Sequence, residues 1–237
     1  MELTNKLWGL LYPGRCPVCD SVVMPAGNKI CYPCRNRLRR IREPYCLKCG
    51  QQLTDEELEY CSDCRKKKHV FISGICLYEY ESVQEAIYRF KYEGRSEYAA
   101  FFGEEMAYWL GERLKSFRAD ALIPVPIHRK RFRERGYNQA QLLAQEVGKR
   151  LRIPVLTNVI ERVRNTAPQK GLGMQERQNN LKKAFKMCQN DVKLDTIIII
   201  DDIFTTGATI DAMGRVLLEA GVKEIYFAAL AVGKGSS

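Results

Sequence analysis

Eight of the chain's ten cysteines fall between Cys16 and Cys64, as Cys16-Pro17-Val18-Cys19, Cys31-Tyr32-Pro33-Cys34, Cys46-Leu47-Lys48-Cys49 and Cys61-Ser62-Asp63-Cys64, one pair every 15 residues. Only Cys76 and Cys188 lie outside this block. A Cys-x-x-Cys turn puts two thiolates on one side of a tight knuckle, and two knuckles complete the tetrahedron around one Zn2+. Four knuckles therefore hold two zinc ions, ligated by Cys16, Cys19, Cys31, Cys34, Cys46, Cys49, Cys61 and Cys64. Consecutive and interleaved pairings both satisfy the spacing. With every position filled by a cysteine, the ions are structural and leave no open site for catalysis. The block 13–68 has few large apolar side chains and cannot bury enough surface to fold alone. Structural zinc supplies about 10–16 kcal/mol in small zinc peptides. Disulfides do not suit a chain without a secretory signal, and redox motifs do not recur four times at a fixed period. An iron–sulfur cluster is the lesser competitor.

From about Phe71 the texture changes. Phe71–Tyr78 reads as a strand, Val83–Leu114 as helix broken at Gly94, and Ala121–Pro126 as a short strand ended by its prolines. Gln139–Leu151 carries Leu142, Leu143, Val147 and Leu151 on one helical face. Four consecutive isoleucines in Thr196–Ile200 suit a strand covered on both sides. Thr209–Ala220 reads as a helix stopped at Gly221, and Ile225–Val232 as a last strand. Strands alternating with helices predict an α/β fold with a parallel sheet. The expected division is a zinc-ribbon domain over 1–68, opening on a short helix, and an α/β domain over 69–237. Residues 161–186 are polar, basic and without apolar periodicity, and read as a long loop or mobile arm. No apolar run approaches the roughly 18 residues that span a bilayer. Leu7–Tyr12 is too short for a signal-peptide core, so the chain is expected to be cytoplasmic with no membrane insertion.

The strongest functional signal is Ile197-Ile198-Ile199-Ile200-Asp201-Asp202-Ile203-Phe204-Thr205-Thr206-Gly207-Ala208-Thr209. A buried strand delivers two carboxylates at its end, where a parallel sheet binds ligands. The loop of Thr205, Thr206, Gly207, Ala208 and Thr209 offers backbone N–H groups, three hydroxyls and a helix N-terminus to a phosphate. Gly207 permits close approach of the backbone. Asp201 and Asp202 cannot themselves hold phosphate; they suit acceptance from ribose hydroxyls, with Mg2+ bridging to a diphosphate. This stretch resembles the binding loop of type I phosphoribosyltransferases, which hold phosphoribosyl pyrophosphate (PRPP). No Walker GK[ST] ending occurs. In the resembled fold the pyrophosphate loop lies within Pro124–Gln139, and Arg135 and Gly136 are its nearest matches. The mobile loop that closes over PRPP matches Arg162–Lys186, with Arg162, Arg164, Lys170, Arg177, Lys182, Lys183 and Lys186 against one acid, Glu176. Solvated basic loops are the plainer reading of both segments. Lys91 is within reach of the site, although a lysine on a helix surface is the plainer reading. His69 and His128 receive no role.

The whole chain resembles the ComF/ComFC family of competence proteins, which join a double zinc ribbon to a phosphoribosyltransferase-like domain. Leu11-Tyr12-Pro13 before Cys16, Phe90-Lys91-Tyr92-Glu93-Gly94-Arg95, Pro124-Val125-Pro126 with Arg135-Gly136-Tyr137-Asn138-Gln139, Arg164-Asn165-Thr166-Ala167-Pro168-Gln169 and Asp201–Thr209 carry the likeness. It implies a role in DNA uptake during natural transformation, binding single-stranded DNA beside a helicase-like translocase. Lys+Arg 38 against Asp+Glu 28 leaves the chain at +10, which fits an anionic partner. Tyr32, Tyr45, Phe132 and Tyr137, next to cations, offer surfaces for base stacking. Five arginines between Arg35 and Arg42 could meet phosphates, although a solvated helix face explains them as well.

Two functions compete. One is a PRPP-binding fold used for DNA handling. The other is a catalytic phosphoribosyltransferase, with Asp201, Asp202 and Arg135 stabilising an oxocarbenium-like transition state and the departing pyrophosphate. The chain ends just past its last strand, with no C-terminal hood for an acceptor base, which favours binding. The zinc block could take the hood's place.

Overall fold

The run Ile197–Ile200 is completely buried, because its strand lies inside a parallel sheet with a layer on each face. The computed structural model describes residues 14–25, 27–164, 184–188 and 193–233. Leu11-Tyr12-Pro13, the expected opening helix, Thr166, Gln169, Lys170, Arg177, Lys182 and Lys183 lie outside the described residues. The strands are β1 (Ser73–Glu79), β2 (Ala121–Pro124), β3 (Ile160–Arg162), β4 (Phe185–Met187), β5 (Thr196–Phe204) and β6 (Glu224–Val232). The main sheet runs β1-β6-β5-β2, with all neighbours parallel.

The described helices are α1 (Tyr32–Arg35), α2 (Ser62–Lys66), α3 (Tyr80–Tyr92), α4 (Tyr98–Ser116), α5 (Arg129–Arg135), α6 (Gln139–Leu151) and α7 (Ala208–Glu219). In α3, Val83, Ala86, Ile87 and Phe90 make one apolar stripe. Gly94, at φ +69°, turns the chain out of α3, and α4 begins at Tyr98. Asn138 caps α6 by accepting from the Ala140 N–H at 3.1 Å. Helices α3, α4 and α6 cover one face, on Ile198, Ile200, Ala228 and Leu230. Helix α7 covers the other, on Ile197, Ile199, Phe227 and Ala229.

The cysteine block is built into both layers. Cys16, Val18, Val23, Ile30 and Cys34 join the first face; Cys46, Cys49, Leu53 and Cys61 join the second. Its backbone also covers an edge of the sheet. Arg40 forms an antiparallel bridge with Tyr78, Ile41 N–H donates to Leu77 O and Glu79 N–H to Arg39 O, both at 2.9 Å, and Gly74 N–H donates to Lys48 O at 2.8 Å. At the opposite edge, Val155 bridges Leu122 of β2. Neither edge strand is left bare.

The segment 161–186, read from sequence as a loop, is bounded by structure. Its ends form β3 and β4, a separate antiparallel pair, because Ile160, Ala184 and Phe185 bury their side chains in the α7 layer. The isoleucine strand also runs four residues past its expected end, so Asp201 and Asp202 lie within β5.

Gly74 marks the tightest packing. A Cβ there would fall 1.9 Å from Phe227 Cε1, and that ring is held by stacking on Phe204 at 4.6 Å and by edge contact with Phe71. Gly74→Ala is therefore expected to cost about 1–3 kcal/mol in urea unfolding. A change below about 0.5 kcal/mol, the ordinary scatter of surface substitutions, would show that the ring moves freely.

Candidate functional site

The four thiol sulfurs of Cys16, Cys19, Cys31 and Cys34 lie within 4.8 Å of one another, and so do those of Cys46, Cys49, Cys61 and Cys64. Pairing is therefore consecutive, not interleaved. Cys19 Sγ and Cys31 Sγ are 3.9 Å apart, and Cys49 Sγ and Cys61 Sγ 3.7 Å. A tetrahedron with Zn–S bonds of about 2.3 Å has edges of about 3.8 Å, whereas a disulfide needs about 2.0 Å. All ten cysteines are unbridged. Both sets fit structural zinc with every position taken by thiolate.

The second feature is the tip of β5. Up to Ile200 the strand alternates regularly, odd residues facing the α7 layer and even residues the opposite one. Beyond the aspartates the order reverses, with Ile203 on the even side and Phe204 on the odd side. The register with β6 omits the Asp202–Leu230 pair at this level. The same row is missing between β1 and β6, at Leu77 and Leu230, so the change crosses the sheet; at its β5 end the Asp202 N–H donates to Asp201 Oδ1 at 2.8 Å. Asp202 then meets Lys91 Nζ at 2.6 Å, with both side chains mostly buried. Burial first, and the Asp202 carboxylate second, push the Asp201 carboxyl up to about 8, although Lys91, the Asp202 N–H and Arg162 pull the other way. This end of the strand is thus a desolvated acid pair with the Lys91 ammonium on Asp202, and Asp201 changes charge close to neutrality.

Thr205 follows, exposed, then Thr206, with Gly207 buried at φ +74° as the N-cap of α7. No side chain caps this helix. Its first-turn N–H groups and its positive end therefore open at the loop that follows the two aspartates. A phosphate carries the charge and acceptors such an end takes.

Of the other expected residues, Lys91 contacts Asp202, while Arg135, Gly136 and Arg164 have other surroundings. Lys91 is no plain surface lysine; its ammonium is held by Asp202. Arg135 ends α5, donates to Gln139 Oε1 at 2.9 Å and lies over the Tyr92 ring at 4.9 Å. Gly136 is the left-handed residue that closes α5, at φ +81°. Gln139 Nε2 and Tyr137 Oη both donate to Phe90 O, at 2.9 and 2.8 Å. The segment read as a pyrophosphate loop is therefore tied to the end of α3 that carries Lys91. Arg162 lies over Phe185 and acts electrostatically on Asp201. Arg164 is exposed.

Sequence reading missed His69 and Asp211. His69 stacks on Phe71 at 4.6 Å, and its Nδ1 lies 2.9 Å from Asp211 Oδ2. Asp211 Oδ1 accepts from the Val70 N–H at 3.0 Å. The available signal was Asp211 itself, an acid beside Ile210 and Ala212 in a helix that turns out to bury both.

A parallel sheet with an acidic strand tip, a glycine-bearing loop at an uncapped helix and a pair of four-thiolate sites defines a class: a phosphoribosyltransferase-type domain joined to a double zinc ribbon. Residues 7–65 match the double zinc ribbon domain and residues 134–237 the phosphoribosyl transferase domain. The chain is 30% identical over 223 residues to competence protein F of Haemophilus influenzae, covering 92% of this chain and 96% of that protein. It is 27% identical over 245 residues to competence protein ComFC of Bacillus subtilis, with 92% and 95% covered. It is 29% identical over 223 residues to the DNA utilization protein YhgH of Escherichia coli K12, with 91% and 96% covered. The chain belongs to the ComF/ComFC family. Among the described residues no helix is long and apolar enough to cross a membrane.

Proposed function

We propose that this chain binds PRPP with Mg2+ at the β5 tip and acts in DNA uptake, holding single-stranded DNA beside a helicase-like translocase in the cytoplasm. One observation carries the reading of the site: Asp201 and Asp202 lie toward the end of buried β5, ahead of the uncapped N-terminus of α7, with Lys91 of α3 held on Asp202. In this reading the Thr205–Thr209 loop takes the 5-phosphate. Asp201 and Asp202 accept from the ribose hydroxyls, and Arg135 and Gly136 flank the diphosphate, with Arg164 and Lys91 as further cations. Mg2+ would offset the diphosphate charge, and carboxylates are ligands that suit it. Relatives named for competence and DNA utilization support the DNA role.

The surface next to the site supports a single-stranded partner. Tyr88 and Tyr92 of α3 and Phe132 of α5 are 57%, 62% and 48% exposed, beside the arginines of α5 and Lys130. Exposed rings among cations stack bases and neutralise phosphates. Titration with oligo(dT) at several salt concentrations is expected to give a slope near −0.7 per phosphate neutralised. Tyr92→Ala is expected to weaken binding by about 1–3 kcal/mol. No binding at low salt would overturn the DNA role.

The raised Asp201 carboxyl favours a second reading, transfer of ribose 5-phosphate from PRPP to an acceptor, since ligand sites that do chemistry shift such groups toward neutrality. Pyrophosphate exchange into PRPP in the presence of candidate bases measures it directly, and exchange abolished by Arg135→Ala would establish it.

A further inference from the structure

The second zinc ribbon and the Thr205–Thr206 loop share one small crevice, lined by Cys49, Cys61, Cys64 and His69 on one side and by Phe204, Thr205 and Thr206 on the other. His69 is the link between them. It follows the second ribbon directly in sequence, its side chain is 2% exposed, and it lies against Gly207, the loop's left-handed residue. A Cβ on Gly207 would meet His69 Cε1 at 2.8 Å and Nδ1 at 3.0 Å, so the imidazole edge rests on the Gly207 backbone. On its other side the ring stacks on Phe71, which shares the second-face core with Cys46, Cys49 and Cys61. Asp211, in the first turn of α7, accepts from both His69 and the Val70 backbone. That carboxylate thus joins the helix whose N-terminus forms the loop to the segment leaving the ribbon.

We infer that His69 and Asp211 are positioning residues which make the phosphate-holding shape of the Thr205–Thr209 loop depend on zinc in the Cys46, Cys49, Cys61 and Cys64 site. The inference rests on the reading of that loop as a 5-phosphate cradle. The imidazole edge and Phe204 pack against Gly207 and limit how far the loop backbone can shift. The imidazole stays put because Asp211 of α7 and Phe71, two residues further along its own segment, grip it from two sides. Phe71 in turn packs in a core that the second zinc site completes. Loss of that metal releases the imidazole, and the amides of the loop no longer converge.

The test uses the full chain and two probes, ribose 5-phosphate and inorganic pyrophosphate with Mg2+, each competed against PRPP. His69→Ala and Asp211→Asn are each expected to weaken ribose 5-phosphate about tenfold or more, the size of a lost charge-assisted hydrogen bond. Pyrophosphate is expected to hold within about twofold, since only one end of the ligand meets the loop, and zinc to stay at one ion per four-cysteine set. His69→Asn, which restores a donor near the Nδ1 position, is expected to recover most of the loss. Zinc stripped from the parent by a chelator is expected to speed amide exchange at 205–211 while residues 139–151 keep their protection. Unchanged ribose 5-phosphate binding in His69→Ala overturns the inference, as does parallel loss of both probes or equal loosening of both segments. A parent chain that binds neither probe nor PRPP overturns the phosphate reading itself, and the inference with it.

Discussion

Alanine at both Asp201 and Asp202 is expected to abolish the thermal protection that PRPP and Mg2+ confer, with zinc content unchanged. At a ligand concentration of about 100 times Kd that protection is about 2.7 kcal/mol, or a Tm shift of about 5–10 °C for a chain of this size. Retained protection would refute the site. The resting carboxyl also sets a pH dependence. Asp201 is pushed from 3.8 to about 8, so the folded chain keeps a proton that the unfolded chain releases. Stability contributed by that proton is complete below the unfolded value and is lost as pH rises from about 4 through about 8. Asp201→Asn is therefore expected to raise Tm relative to the parent, with the gap widening between pH 5 and pH 9. An ionised carboxylate accepts more strongly from ribose hydroxyls than a neutral carboxyl does, so PRPP binding to the parent is expected to tighten over the same upper range and to release a proton. A flat profile in both measurements would mean that Asp201 is already ionised at pH 5.

Cys46→Ser is expected to have the largest structural effect. Cys46 is fully buried in the core that also holds Phe71, Phe204 and Phe227, and a hydroxyl there neither ligates zinc well nor finds a partner. Bound zinc is expected to fall by one ion per chain, and Tm by more than about 10 °C, given the scale of structural zinc energies. Cys188→Ser is the matched control, because Cys188 belongs to neither four-cysteine set and its loss should leave zinc unchanged. A Cys46→Ser protein with full zinc and parental Tm would contradict the metal assignment.

Much of this architecture was written in local pattern. The isoleucine run announced a strand covered on both faces, Gly94 the break between α3 and α4, and the 15-residue cysteine period the two metal sites. What pattern could not convey was contact between distant segments. Spacing left the thiol pairing open, because consecutive and interleaved sets differ only in three dimensions. Lys91 looked like a solvated lysine, because nothing near it in sequence shows that α3 ends over the tip of β5. His69 carried no signal at all; its importance comes from Asp211, 142 residues away. The reversed alternation at the end of β5 was hidden for another reason. It spans three strands, in a row through Leu77, Leu230 and Asp202 that drops out of both ladders, and no single segment displays it. The edges of the 161–186 segment were misread because three buried residues, Ile160, Ala184 and Phe185, are too few to set up a period.

The bridge between Arg40 and Tyr78 bears on how such a molecule is made. A chain still waiting for its metal cannot hold the Arg39–Ile41 stretch against β1, and the rim of the sheet faces the crowd with its amides unanswered. Zinc starvation should then drive newly made copies into one another before any of them unravels, and scattered light should rise ahead of the loss of helical signal. The ion is in that sense a guard against misassembly as much as a staple.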